Sequence, residues 1–275
     1  MPLAFIAPIA LLLLTLSSCA RPDWGDALQD KTAIGNGRQL LSAMVTADEK
    51  CPLCRDADVN LTLKSPLKDA AATGYLLLRR PSWIKFVSSN PFGQPILLIT
   101  SDGARFQQLL MPQKTYLHGQ VFSYLAHNNL PLALALGNWG SWLTGGVGQV
   151  KADEAEVRPD RENRGLWFAW RLPPLPEARG IRENDLWEHI LVDAARRLVL
   201  ARVISKGDGK TIARFDYGDR QADGSCPSAG TIMISGLEGG GAIKLVFSDP
   251  RTFAECPEDF FRLKKPENFQ EFYMP

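Results

Sequence analysis

The hydrophobic pattern of the chain changes period after its first helix-like segment. Asp30 precedes a stretch ending near Ala47 in which Ile34, Leu41 and Val45 fall on one side of a helix, so we expect an α-helix capped by Asp30. From residue 59 onward apolar and polar residues alternate with period two, which is typical of strands with one buried face. Five such strands are predicted, at residues 59–64, 75–79, 83–88, 96–100 and 105–109. The hairpin-length gaps between them predict an antiparallel meander.

A second helix is predicted in the middle of the chain. Pro131 suits the first position of a helix, and the pattern ends at Gly145 and Gly146, which suit a helix terminus. Four apolar residues recur between them at helical spacing, namely Leu132, Leu136, Trp139 and Leu143. We expect them to form one buried stripe.

The strand pattern resumes after a charged, loop-like segment at residues 151–165. The predicted strands are 166–171, 186–193, 198–205, 211–217, 231–235, 243–247 and 260–263, with an irregular proline-rich loop at 172–176. The total is about eleven strands and two main helices, in a single α+β domain.

A sheet of this size curls, because strands twist. Two helices are too few to fill the concave side of eleven strands, so we expect an incomplete antiparallel β-barrel with a helical lid over an apolar cavity. The alternative is that the helices and loops pack the concave side solid.

The first residues are typical of a secretion signal. Residues 4–16 are apolar but too few to span a membrane, which takes about 20 residues, and they fit the apolar region of a signal peptide. Leu16-Ser17-Ser18-Cys19 resembles a bacterial lipobox. This resemblance implies a signal peptide at residues 1–18, cleavage before Cys19, and acylation of Cys19 with chains such as palmitate. The alternative is a plain secretory signal with a chance cysteine.

Ala20 stands where an aspartate would be the usual signal for retention at the inner membrane. By the same resemblance, we expect Cys19 to anchor the protein in the outer membrane, facing the periplasm. Residues 19–30 are then expected to be a lipidated tether, and residues 31–275 the single folded domain.

Charge and motifs argue against nucleic acid and against catalysis. The 31 basic and 30 acidic residues are interspersed, so no nucleic-acid-binding stripe is indicated. The three histidines, His118, His127 and His189, lack metal-ligand spacing, and no nucleophile elbow, zinc-binding helix or phosphate-binding loop motif is found. We expect no metal, no cofactor and no enzyme activity; a periplasmic hydrolase with clustered carboxylates or histidine is the least favoured alternative.

Four cysteines remain after Cys19, which in an oxidising periplasm predicts disulfides. Cys226 and Cys256 flank the hairpin centred on Gly239–Gly241, so we expect them to pair across its base. Cys51 and Cys54 form a C-x-x-C without the strand-to-helix context of a redox site or the further ligands of a zinc site. A small loop disulfide between them is therefore expected, with the redox and zinc alternatives less favoured.

Several motifs, in order, resemble the LolA/LolB family of periplasmic lipoprotein carriers and outer-membrane lipoprotein receptors. They are Gly74-Tyr75-Leu76-Leu77-Leu78-Arg79-Arg80-Pro81-Ser82-Trp83-Ile84-Lys85-Phe86, the Asn90-Pro91-Phe92-Gly93 turn, Ser101-Asp102-Gly103 with Met111-Pro112, the segment from Leu130-Pro131 to Gly145, and Phe261-Arg262-Leu263-Lys264-Lys265-Pro266. One departure is the short polar turn at Ser101–Ala104, where the receptor carries a protruding loop with an apolar tip.

The resemblance implies a half-barrel that binds the acyl chains of lipoproteins or lipids without covalent chemistry. It assigns Arg80 as the residue that clamps the lid through main-chain carbonyls, which suits the five donors of a guanidinium. Alternate strand positions and the second helix would line the cavity, namely Leu61, Leu63, Leu76, Leu78, Ile84, Phe86, Ile96, Leu98, Trp139 and Leu143.

The expected function is that of a LolB-like receptor or carrier in outer-membrane lipoprotein localisation. Its expected partners are acyl chains, the membrane through Cys19, and a periplasmic LolA-like carrier. The alternative is a structural or assembly lipoprotein that uses the same fold, with a filled core, to bind a protein partner.

Overall fold

The structure, a computed structural model, describes residues 22–65, 69–128, 130–174, 185–219, 221–223, 226–236 and 241–275. The predicted signal peptide, and Cys19 as the expected site of acylation, lie outside the described residues. The helices are α1 (Lys31–Glu49), α2 (Val121–His127) and α3 (Trp139–Trp142), with 3-10 turns at Leu132–Leu136 and Glu258–Phe261. The strands are β1 (Cys54–Lys64), β2 (Ala70–Arg79), β3 (Trp83–Ser89), β4 (Pro95–Ser101), β5 (Arg105–Leu110), β6 (Thr115–Gln120), β7 (Glu156–Pro159), β8 (Leu166–Arg171), β9 (Leu186–Asp193), β10 (Leu198–Lys206), β11 (Thr211–Gly218), β12 (Gln221–Asp223), β13 (Cys226–Ser228), β14 (Thr231–Ser235), β15 (Ala242–Phe253) and β16 (Gln270–Met274).

One large sheet dominates the fold. Its 14 strands follow the order β16-β6-β5-β4-β3-β2-β1-β15-β14-β11-β10-β9-β8-β7, and β12 and β13 form a separate ribbon. Neighbouring strands are antiparallel except for β16, which runs parallel to β6. The strongly curved sheet does not close, since β16 and β7 end the order. The predicted fold class, an α+β incomplete barrel with few helices over it, is confirmed.

Strand register separates the sheet into two faces. Val59 of β1 lies opposite Gly74 and Phe247, and alternate positions from these define the concave face. Together with Leu41 and Met44 of α1 they form the main core. We call the opposite face, which carries Cys54 and Leu77, the convex face.

The first helix forms as its sequence predicts. The Asp30 carboxylate accepts a hydrogen bond of 2.8 Å from the Thr32 amide, which satisfies one of the free N–H groups at the helix start. Leu41 and Met44 of α1 are buried, so burial of one apolar stripe holds the helix on the sheet.

The prediction of a second continuous helix between Pro131 and Gly145 is wrong. Residues 132–136 form a 3-10 turn, Gly137 is extended, and a new short helix begins after Asn138. The Asn138 side chain accepts from the Ser141 amide and so starts a separate helix where a continuous one was expected.

Other local expectations also need correction. Residues 260–263, expected to be a strand, overlap a 3-10 turn, and the charged segment 151–165 contains β7. The strands β6, β12, β13 and β16 and the helix α2 were not predicted. The two edge strands of the sheet, β7 and β16, have only 4 and 5 residues, too few to give a clear period.

Both disulfides differ from the predicted pairing. The bonds join Cys51 to Cys226 and Cys54 to Cys256, with Cα–Cα distances of 5.5 and 6.1 Å. The hairpin argument fails because β15 extends to Phe253 and pairs there with Cys54 of β1, away from Cys226, which lies in the separate ribbon. The two cysteines of the C-x-x-C motif therefore bind distant partners.

The expected tether at residues 19–30 is too long. Trp24 is buried with Trp167, Leu191, Ala201 and Val203 on the convex face. Gly25 and Leu28 donate main-chain hydrogen bonds of 2.9 Å to Pro159 and Val157. The folded domain thus begins by Asp23.

Candidate functional site

From the strand register and the sizes of the side chains we infer a shallow apolar groove on the concave face, at the end where β2 begins. Along β2 the concave side chains shrink from Leu78 and Leu76 to Gly74, Ala72 and Ala70. A Cβ atom at Gly74 would lie 2.3 Å from the Val87 carbonyl oxygen and 2.8 Å from the Phe86 ring, so only glycine fits beneath that ring. The small residues leave a depression between taller neighbours.

The walls of this groove are apolar and only half-buried. Leu61 and Leu63 of β1 lie opposite Ala72 and Ala70, and Ile243 of β15 lies next to Leu63. On the other side stand Phe86 of β3, and Leu97 and Ile99 of β4. We call this surface the alanine groove and define it by Ala70, Ala72, Leu61, Leu63, Phe86, Leu97 and Ile99.

The turn that follows β3 adds an exposed aromatic side chain at the same end of the sheet. Phe92 is 89% exposed, the highest value among the large apolar side chains that the structure describes. Asn90 holds the turn, because its side-chain oxygen accepts from the Phe92 and Gln94 amides at 3.0 Å. An apolar tip therefore stands beside the groove, on a different turn from the one compared with the family's protruding loop.

Eight of the ten predicted lining residues fall into three groups. Leu61, Leu63, Ile84 and Phe86 lie on the concave face and are half-buried, whereas Leu76 and Leu78 lie there fully buried. Trp139 and Leu143 contact the main core at the other end of β2 and β3. The structure thus brings part of the predicted set together in the groove and places the rest in the packed core.

Leu98 does not line the concave face. Phe86 lies opposite Ile99 and Val87 opposite Leu98, so Leu98 points to the convex side, whereas Ile96 is 38% exposed and lies where the register between β3 and β4 is interrupted. On the convex side Leu98 packs against a small cluster with Leu109, Tyr116, Leu263 and Phe269. The prediction for Leu98 is wrong, and Leu97 and Ile99 lie on the concave face, whereas the role of Ile96 stays a prediction.

Arg80 connects several elements at the opposite end of the sheet, where β2 ends. Its guanidinium donates to the main-chain carbonyls of Asp48 and Cys51 at the end of α1, and it pairs with the Asp48 carboxylate at 3.2 Å. The same carboxylate accepts from the Gly148 amide at 3.1 Å. Pro81 accepts from the Gly140 amide at 2.8 Å. Arg80 and its neighbour therefore fasten α1 and the α3 segment to the end of β2.

Replacing Arg80 by methionine is expected to loosen this contact. The main-chain carbonyls of Asp48, Cys51 and Pro52 and the Asp48 carboxylate lose their charged donor, which costs about 2–3 kcal/mol. Hydrogen exchange of the last-turn amides of α1 should quicken at least about tenfold. Arg79→Met is the matched control, because Arg79 pairs with Glu258 at 3.3 Å on the other face. Equal protection of α1 in Arg80→Met and the unchanged protein would contradict the clamp.

A buried arginine on another part of the concave face was not predicted. Arg202 of β10 is 1% exposed and lies on the concave face, where it pairs with Glu188 of β9 and donates to the Gly146 carbonyl. Trp142 of α3 donates to the Glu188 carboxylate at 3.1 Å, and its carbonyl accepts from Tyr217 at 2.9 Å. This network fills the half of the concave face formed by β9–β11 and holds the α3 segment on it.

A polar cleft of about 550 Å³ lies between the strands and the C-terminal segment. Of its lining residues, His118 contacts Glu271 at 2.9 Å and Asp102 accepts from the Ala104 and Arg105 amides. The first contact joins the edge strand β16 to β6, and the second stabilises the turn between β4 and β5. Elsewhere, burial and the charge of Arg158 lower the pKa of His189 to about 3, so this histidine is neutral at ordinary pH.

Among the described residues, no three or more metal-binding side chains cluster, and none of the described helices is long and apolar enough to span a membrane. No protein-family model matches the sequence, and no curated protein matches it.

Solved structures, in contrast, share the fold. The chain is similar to a DUF1329 family protein from Desulfovibrio piger, with a TM-score of 0.54, 10% identity, and coverage of 83% of this chain and 97% of that one. It is also similar to a LolA superfamily protein from Nitrosomonas europaea, with a TM-score of 0.52, 10% identity, and coverage of 81% of this chain and 97% of that one. A third similar structure is a domain from Vibrio parahaemolyticus that is assigned to outer membrane lipoprotein sorting. Its TM-score is 0.51 and its identity 12%, with coverage of 83% of this chain and 97% of that one. At these identities the likeness establishes a LolA/LolB-like fold.

Proposed function

We propose that this protein is an outer-membrane lipoprotein, anchored through Cys19 and facing the periplasm, that binds acyl chains of lipoproteins or lipids in the alanine groove. It would act as a LolB-like receptor or carrier and exchange cargo with a periplasmic carrier. The transfer would be passive, with no bond made or broken. The observation that carries the proposal is the groove itself, half-buried and apolar, on the concave face of this fold.

The side chains of the groove suit a hydrocarbon chain. Its floor has only methyl groups at Ala70 and Ala72, and its walls have branched or aromatic side chains. Each methylene group that leaves water for such a surface contributes about 0.8 kcal/mol. A fully covered chain of about a dozen carbons therefore supplies about 9–10 kcal/mol, which exceeds the roughly 8 kcal/mol that micromolar binding requires.

The remaining half of the concave face is unsuited to a ligand. Phe168, Ile190, Ile204 and Phe215 are fully buried there, and the Arg202 network occupies the space above β9–β11. The sequence left open whether the concave side is hollow or filled. The described side chains favour a concave face that is filled over β9–β11 and open at the alanine groove. We assign the packed half to stability and the alanine groove to binding.

Fluorescence titration with an anthroyl-labelled stearate tests this function. The protein would begin at residue 19 with Cys19→Ser, so that no anchor is present. We expect saturable enhancement with one probe per protein, reversed by unlabelled palmitate. Enhancement that does not saturate, or that palmitate does not reverse, would contradict the proposal.

A protein-binding role is the second candidate. It is favoured by β16, an edge strand on which Phe272 is 44% and Tyr273 63% exposed. An edge strand with apolar side chains suits the addition of a partner strand. This role predicts the same fold with no probe binding, so the titration separates the two candidates.

A further inference from the structure

The segment before α1 crosses the convex face of the sheet. The Trp24 ring stacks on His189 of β9 at a centroid distance of 4.1 Å and meets Trp167 of β8 at 5.2 Å. The Asp23 carboxylate binds Arg214 of β11. His189 and Arg214 both lie opposite Val203 of β10 in the register, on the face away from the main core.

Main-chain hydrogen bonds fix the same segment. The Asp23 carbonyl accepts from the Arg161 amide at 3.0 Å, and the Gly25 amide donates to Pro159 at 2.9 Å. Trp24 is 7% exposed, so peeling it away would return a large aromatic surface to water, at a cost of roughly 2 kcal/mol or more. The chain is therefore held from Asp23 onward.

Only a short length of chain separates this point from Cys19. Four residue steps join Cys19 to Asp23, and a fully extended chain spans about 14 Å over four steps. A free tether through residue 30 would reach about 40 Å and leave the orientation of the domain open. The packing of residues 23–28 removes that freedom.

We propose that the convex face of β9–β11 and β14 lies against the bilayer that holds Cys19, so that the alanine groove opens away from it. This inference rests on the acylation of Cys19 in the proposed function. Asp216, Met233 and Lys244 form a row across β11, β14 and β15 on that face. Met233 is 37% exposed and Lys244 is exposed. An exposed apolar residue beside a lysine suits an anionic lipid surface.

The orientation has a consequence for transfer. A groove that faces away from its own bilayer receives cargo from the aqueous side. Phe92 at the groove edge then meets the incoming cargo or carrier before it meets the anchoring membrane.

Energy transfer from two labelled positions tests the orientation. The four described cysteines are paired in disulfides, so one added cysteine can carry a fluorophore in the full lipidated protein. Lys244→Cys places the label on the convex face. Ala126→Cys places it on the exposed side of α2, whose Leu125 packs into the main core on the concave side. The acceptor is a headgroup-labelled lipid in phosphatidylethanolamine–phosphatidylglycerol vesicles.

We expect transfer at least about threefold more efficient from position 244 than from position 126, because packed layers lie about 10 Å apart. Inserting twenty glycine and serine residues between Ala20 and Arg21 gives a mean reach of about 25 Å and should remove the difference. Equal transfer from both positions, or more from position 126, overturns the orientation.

Flotation of the same vesicles shows whether a negative result contradicts the proposed orientation or the proposed lipid anchor. Protein that floats with the vesicles but shows no difference between the labels retains the anchor and contradicts only the orientation. Protein that does not float contradicts the anchor and, with it, this inference. A difference that persists in the spacer variant contradicts the short tether as its cause.

Discussion

Replacing Ala72 by phenylalanine is expected to weaken binding of the labelled stearate at least about tenfold, or about 1.4 kcal/mol. Ala72 lies opposite Leu61 on the floor of the alanine groove, and a phenyl ring there occupies the space that the acyl chain needs. The substitution adds no charge and is made at a half-buried position, so the fold should tolerate it. Titration of the soluble protein with the probe measures the effect.

The neighbouring position supplies the matched control. Ala71 is exposed and lies on the convex face, opposite Thr62, so Ala71→Phe should bind the probe as the unchanged protein does. Phe86→Glu is a second test, since it places a charge beside the chain, where desolvation is unfavourable, and Val87→Glu on the other face is its control. Equal weakening in Ala71→Phe and Ala72→Phe would show that the groove is not the binding surface.

Replacing Arg202 by methionine is expected to lower the free energy of unfolding by about 3–5 kcal/mol. The Glu188 carboxylate, with its side chain only 8% exposed, loses its charged partner and is left buried. The Gly146 carbonyl and the Tyr217 hydroxyl lose a donor as well. Urea unfolding of the oxidised protein, followed by tryptophan fluorescence, measures the loss.

Two further variants show whether the effect comes from the network. Arg196 pairs with Asp193 on the surface, with its side chain 66% exposed, so Arg196→Met should cost less than about 1 kcal/mol. Adding Glu188→Gln to Arg202→Met removes the stranded charge while leaving an acceptor for Trp142, and should recover part of the stability. A double variant that is less stable than Arg202→Met would contradict this explanation.

The periodic parts of the fold could be predicted from the sequence. The helix capped by Asp30 and most of the central strands have a clear period and clear ends. The sequence could not predict which residues of β4 face the concave side, because residues 96–99 are all apolar and such a run fits either assignment of faces. Only its pairing with β3, Phe86 opposite Ile99, decides which side chains face the groove.

The buried charges and the disulfides depended on long-range pairing. Arg202 and Glu188 stand on strands that are mostly apolar, and a charged residue within such a strand gives no sign of its partner 14 residues away. The disulfides could not follow from the hairpin, because β15 pairs with β14 only at residues 243–246 and continues along β1 as far as Phe253. The small residues of β2 were visible in the sequence as Ala70-Ala71-Ala72-Thr73-Gly74, but the groove exists only once β1 and β3 flank them.

Native mass spectrometry tests the central claim, acyl binding in the alanine groove, most directly. The protein would begin at residue 19 with Cys19→Ser and be purified from the periplasm without detergent. The account predicts an adduct of lipid mass that is lost in Ala72→Phe and retained in Ala71→Phe. A bare protein mass, with no uptake of added palmitate, would contradict it and favour the protein-binding role of the edge strand β16.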